Sequence, residues 1–189
     1  MTKTREQWFN AALPELQSRV FGSEYIIPEK VKVSCGFPKS GGKSYKEIGQ
    51  CWSPKASAES NHEIFISPTI SESTRVLDIL CHELVHAIVG TEAGHKGPFR
   101  KCAKAIGLTG KMTATTAGPE LHQTLCAIVS DIGIYPHAAL TPPESGIKKQ
   151  IARMKKITCT DCGYTARVAQ KWIDVGTPTC VCGGEFEIV

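Results

Sequence analysis

One stretch restricts the fold more than any other: residues 76–95, VLDILCHELVHAIVGTEAGH. Leu77, Leu80, Cys81, Leu84, Val85 and Ile88 recur with the period of a helix that buries one face. Asp78, His82, Glu83 and His86 interrupt the apolar run, so it reads as an amphipathic core helix and not as a membrane span. Thr69, with Glu72 at the third helical position, predicts a start near residue 70. Gly90 predicts a left-handed end after residue 89.

The polar residues of this helix carry chemistry. His82 and His86 are four apart, which puts them on one face with Cβ atoms about 5–6 Å from each other. Both imidazoles can therefore turn toward one metal ion. Glu83 sits one residue round the helix, where its carboxylate can take a proton from an attacking water. This HExxH pattern on an apolar helix is that of zinc hydrolases. Catalytic zinc takes three protein ligands and keeps one position open, so a third ligand has to come from elsewhere. His95, delivered by the turn Thr91-Glu92-Ala93-Gly94, is preferred, with Glu92, Glu120 and His122 as alternatives. A metzincin would need Gly at 89 and His at 92; Val89 and Glu92 exclude that class. Asp78, four residues before His82, is either a partner that orients an imidazole or a solvated charge.

The surrounding chain reads as α+β. Residues 4–21 predict a helix with a Thr4–Gln7 capping box, kinked or split at Pro14. Residues 31–37, 46–52 and 62–67 predict three strands in a meander or hairpin arrangement, with Gly41-Gly42-Lys43-Ser44 in a hairpin turn. Short helices are expected over 98–106 and 119–133, with a polar loop over 108–118 between them. Proline-rich residues 134–147 predict a linker, in which Tyr135-Pro136-His137 forms a simple turn, and a basic helix follows over about 146–156.

Four of the nine cysteines crowd into the C-terminal end: Cys159, Cys162, Cys180 and Cys182. Two close pairs at this separation predict a Cys₄ structural zinc site, each pair on a turn, with 165–173 and 184–189 as paired strands of a zinc ribbon. Scattered single cysteines elsewhere suit a reducing compartment better than a disulfide framework. The net charge of +4 is uneven, because residues 145–175 hold seven lysines and arginines against two aspartates. Lys148, Lys149, Arg153, Lys155, Lys156, Arg167 and Lys171, with Trp172, make the C-terminal part a candidate for phosphate contacts and base stacking.

HELVHA (82–87) followed by Gly94-His95-Lys96-Gly97-Pro98-Phe99, after a strand-rich region, resembles the SprT-like domain, which includes proteases that degrade proteins crosslinked to DNA. The resemblance covers about residues 5–110 and the C-terminal ribbon that many members carry. It implies a zincin-like minimal metallopeptidase fold, a small sheet packed on helices. It also implies zinc on His82, His86 and His95, with Glu83 catalytic. The stretch 111–140 is longer than in compact members.

The expectation is a peptidase domain over 1–140, a basic linker or helix over 141–156 and a Cys₄ ribbon over 157–189, with two zinc ions per chain. The expected partners are a protein substrate and DNA, without a membrane. With no apolar leader at the N-terminus, a cytoplasmic or nucleoid-associated, unsecreted protein is expected. The rivals are a non-catalytic, nucleic-acid-associated regulatory protein with a structural or vestigial HExxH site, and a zinc hydrolase whose C-terminal module binds another protein.

Overall fold

A computed structural model describes residues 3–39, 47–141 and 154–189. The Gly41–Ser44 turn and the basic residues Lys148, Lys149 and Arg153 lie outside the described residues. The chain divides into two compact units, Met1–Pro143 and Glu144–Val189. Its elements are α+β, with small sheets and five α-helices among the described residues.

The first unit opens with α1 (Arg5–Leu16). The Thr4 hydroxyl accepts from the Gln7 N–H, and the Gln7 side chain accepts from the Thr4 N–H, closing the capping box. Trp8, Phe9, Ala12 and Leu16 are buried along one face. The expected break at Pro14 does not occur: the helix continues to Leu16 and widens into a π turn over Gln17–Phe21. Pro14 deprives the Asn10 carbonyl of its helical donor, but Asn10 is exposed, so water can replace it.

Strands β1 (Val31–Cys35), β2 (Gly49–Trp52) and β3 (His62–Ile66) form one sheet in the order β1-β3-β2. The expected meander is therefore corrected at β1, which does not pair with β2, while β2 and β3 pair as consecutive antiparallel strands. β1 runs parallel to β3, with Val33 opposite Ile64, and β2 runs antiparallel to it, with Cys51 opposite Ile64. β3 carries the buried Ile64 and Ile66, and the central position covers both. This leaves β2 at an edge of the sheet.

α2 (Ser73–Val89) is the element around which the unit packs. Its cap is Glu72 and not Thr69: the Glu72 carboxylate accepts from the N–H groups of Thr74 and Arg75 at 2.8 and 2.6 Å. A carboxylate there also complements the positive end of the helix. The Thr69 hydroxyl is instead paired with Ser67 at 2.9 Å. Gly90, at φ +89°, ends the helix where a side chain would be strained. α2 packs on β2 and β3, on α3 (Gly97–Ala105) and on α4 (Pro119–Ile132), while α1 covers β1 and touches α4. Leu77, Leu80 and Leu84 meet Phe9, Leu125 and Ile128 in the core.

Residues 108–118 are not a loop. β4 (Leu108–Lys111) and β5 (Ala114–Ala117) form an antiparallel hairpin with Gly110 opposite Thr115. Nor is 134–141 a free linker. Trp8 donates its indole N–H to the Gly133 carbonyl, the Tyr135 N–H donates to Ser73 Oγ, and the Leu140 N–H donates to the Pro68 carbonyl. Tyr135 is buried against Trp8 and Phe9, so the segment is a strap over the start of α2.

In the second unit, β6 (Lys155–Cys159) lies between β7 (Thr165–Val168) and β8 (Phe186–Ile188), antiparallel to both. Three expectations change here. Lys155 and Lys156 belong to a strand and not to a basic helix. Residues 170–173 form a short helix, α5 (Gln170–Ile173). β8 pairs with β6 and not with β7. β6 takes the centre because its alternate residues Ile157 and Cys159 are both buried and need cover from two sides. No helix among the described residues is long and apolar enough to cross a membrane.

Candidate metal centre and cleft

The spacing of His82 and His86 on α2 is converted into a site by two later elements. The turn after Gly90 brings back His95, whose Nε2 lies 3.2 Å from the Nε2 of His82 and 3.2 Å from that of His86. All three ligand atoms lie within 4.8 Å of one another. Three nitrogens at about 2.0–2.1 Å from a tetrahedral metal would stand about 3.3–3.4 Å apart, so the donor set fits zinc. The ring of Phe99, from the first turn of α3, packs against all three imidazoles at centroid distances of 5.0, 4.4 and 4.9 Å. It walls the site on its inner side.

Thr115 of β5 holds the His82 ring from its other side. Its hydroxyl oxygen lies 2.8 Å from His82 Nδ1, while His82 Nε2 faces His95. Burial, with the neighbouring imidazoles, holds His82 down to about 3 and His86 down to about 4. Burial also lowers His95. All three rings are thus neutral at pH 7, the form that binds metal.

Glu83 points beside this group and is buried against β2. A Cβ on Gly49 would lie 2.5 Å from Glu83 Oε1, so the glycine is what gives the carboxyl its room. Burial pushes the carboxyl up to about 8, outweighing the nearby backbone of Cys51, which favours the ionised form. The site opens into a cleft of about 510 Å³, with the β2 edge on one side and the tip of the β4–β5 hairpin on the other.

The other candidates fall elsewhere. Among the described residues, Glu92, Glu120 and His122 do not join the three-histidine group. His122 instead lies one helical turn from Cys126, with Nδ1 3.6 Å from its Sγ. Asp78 does not orient an imidazole, since its carboxylate pairs with Arg75. Reading the sequence missed Thr115, Gly49 and Phe99. GHKGPF held a signal for Phe99, whereas Met112-Thr113 is no hairpin-turn signature and hid Thr115.

In the second unit Cys159, Cys162, Cys180 and Cys182 bring their Sγ atoms within 4.8 Å of one another, so this group too can hold a metal ion. Cys159 lies 3.6 Å from Cys182, and Cys162 lies 3.6 Å from Cys180. Zn–S bonds of about 2.3 Å put tetrahedral sulfurs about 3.8 Å apart, which matches. Each cysteine pair is followed by a glycine at positive φ, Gly163 at +74° and Gly183 at +90°. Each of these glycines donates its N–H to the carbonyl of its pair's first cysteine. The backbone N–H of Cys162 does most to draw the Cys159 thiol down to about 7. Lys156 stands opposite Arg167 across β6 and β7, while Lys171 lies over the exposed Trp172 ring at 4.7 Å.

Comparison of the chain with family models, with curated proteins and with solved structures gives no match.

Proposed function

We propose that the first unit is a zincin-like zinc endopeptidase of the SprT-like type. The observation that carries this reading is the convergence of three neutral imidazoles beside a buried carboxylate, at the floor of a cleft walled by a strand edge. Zinc held by His82, His86 and His95 would polarise a substrate carbonyl and make water acidic enough to attack it at neutral pH. Glu83 accepts the proton of that water and returns it to the leaving amine. A positive ion between the imidazoles also favours the ionised form of Glu83, against the effect of burial. β2 offers backbone groups along the cleft to an extended substrate chain.

The second unit, in this reading, is a zinc ribbon that holds the enzyme near DNA. Like charges face each other at Lys156 and Arg167, an arrangement that a phosphate between them relieves. Trp172 offers an exposed ring for stacking. The substrate is then protein on or near DNA. The chemistry suits an interior compartment with nucleic acid, cytoplasmic or nucleoid-associated.

The test compares wild type with Glu83→Gln on a DNA-bound protein, with and without DNA. Turnover should fall by about 10²–10⁴ in the variant while zinc content stays constant. Equal cleavage by the two proteins would remove Glu83 from the mechanism. Metal analysis should give two zinc ions per chain, and one after His82 and His86 are both changed to Ala. Affinity for DNA should fall as salt rises.

A further inference from the structure

We propose that Arg75 forms an anion subsite of the cleft, selecting a carboxylate about three residues from the scissile bond; this rests on the peptidase reading above. Arg75 precedes His82 by two turns of α2, about 10 Å along the helix axis. It lines the same cleft as His82, Glu83 and His86. An extended substrate advances about 3.3 Å per residue, which gives the three-residue spacing.

The anchoring of Arg75 points to a ligand. Among the described residues its guanidinium has one hydrogen-bond and ion-pair partner, Asp78 Oδ2, engaged through Nη1. A guanidinium carries five N–H donors, and the rest of this one remain available on a side chain one-third exposed. Asp78 is 5% exposed, and its Oδ1 is buried without a hydrogen-bond partner. The backbone of Ala117 approaches the carboxyl without closing a bond of ordinary geometry. A carboxylate buried at that cost is poor value for stability alone. Holding the planar fork of an arginine at a cleft wall is a use that accounts for it. Among the described lining residues Arg75 is the one lysine or arginine; of the carboxylates, Glu47 comes from just before β2 and Glu83 from α2 itself, with its tip turned toward Gly49.

The matching group is a carboxylate, either an acidic side chain or the C-terminus of the substrate. A free C-terminus would make the enzyme trim short peptides from an end; a side chain would make it cut internally beside acidic residues.

Short peptides carrying a hydroxamate at one end fix the register on the metal and bind without being cleaved. The zinc-loaded full chain is titrated with four of them by fluorescence anisotropy. The third residue from the hydroxamate is Glu or Gln in amidated peptides, or the chain ends there as a free acid or an amide. A second set carries the hydroxamate at the C-terminus and holds the Glu and Gln members alone, because the other chain end is then an amine. Wild type should bind one carboxylate member about tenfold more tightly than its neutral counterpart. Arg75→Gln should bring that ratio to about one, and Arg75→Lys, which keeps charge without the fork, should leave an intermediate ratio. The Glu pair against the free-acid pair tells the two sources apart. Should Arg75→Gln fail to fold, the ratio in wild type and in Arg75→Lys still decides. Equal binding of charged and neutral members by wild type, or an undiminished ratio in Arg75→Gln, overturns the subsite and leaves the peptidase reading intact. A preference lost in Arg75→Gln, with wild type and Glu83→Gln equally inert on a DNA-bound protein, supports the subsite and removes the peptidase reading instead.

Discussion

Thr115 and Gly49 set the terms on which His82 and Glu83 act. The Thr115 hydroxyl holds His82 Nδ1 at 2.8 Å, so Thr115→Val keeps the shape of the side chain and removes the orienting bond. Affinity for zinc at the histidine site should fall by about 10–100-fold, measured by competition with a chelator, while the Cys₄ site is unaffected. Gly49→Ala would drive a methyl into Glu83 Oε1 and Ile79, displacing the carboxyl. On the proposed peptidase reading, cleavage should drop with zinc content unchanged; an unchanged rate would mean that Glu83 tolerates the shift. The metal-free protein carries a pH signature with two opposed parts. His82 and His86 sit below the ordinary 6.5, at about 3 and 4, so their contribution to stability is complete above pH 6.5 and is lost as pH falls toward 4. Glu83 sits above the ordinary 4.5, at about 8, so its contribution is complete below pH 4.5 and is lost as pH rises toward 8. Between pH 4.5 and 6.5 the two histidines outweigh the one carboxyl. The midpoint of thermal unfolding of the chelated chain should therefore rise with pH there, and rise more steeply in Glu83→Gln.

Among the elements, what the sequence made legible were the helices with local signals. The Thr4–Gln7 box, the apolar stripe of α2, and the glycines after α2 and α4 are all written within a few residues of what they control. Pairings between distant segments were not legible. Nothing near Val31 says that its partner is His62 and that β2 stands on the far side of β3. The choice of Thr69 over Glu72 as cap failed because two candidates lay close together and Ser67 claimed the hydroxyl. For the candidate site, the histidines and Glu83 were visible because helical spacing alone aligns them. Thr115 and Gly49 were hidden because tertiary packing brings them in, whereas Arg75 lies seven residues before His82 on the same helix and only its cleft was invisible. The turns of the second unit are local again, and they tolerate little. A Cβ on Gly184 would lie 2.7 Å from Asp161 Oδ2 and 2.8 Å from Cys159 Sγ. Gly184→Ala should therefore lower cobalt or zinc loading of the Cys₄ group, read from thiolate-to-cobalt absorption, without touching the histidine site.

At the scale of the whole chain, the two units should answer metal removal differently. Met1–Pro143 owns an extensive apolar core, whereas the described part of Glu144–Val189 buries little beyond Ile157, Cys159 and Cys180. A unit with so small a core is expected to fold only when a metal ion joins its Cys₄ group. A strong chelator should thus unfold the second unit while the first stays folded. Amide spectra or limited proteolysis of the full chain would show this, and protection of β6 that persists without metal would contradict it. The strap over α2 has a different consequence. Lys3 donates to the Ile132 carbonyl, Trp8 to that of Gly133, and Arg5 lies 3.4 Å from His137. The start of α1 therefore meets the strap that follows α4. A module closed in this way can be spliced into a surface loop of a host protein, or re-cut to begin at another loop, with little distortion of either partner.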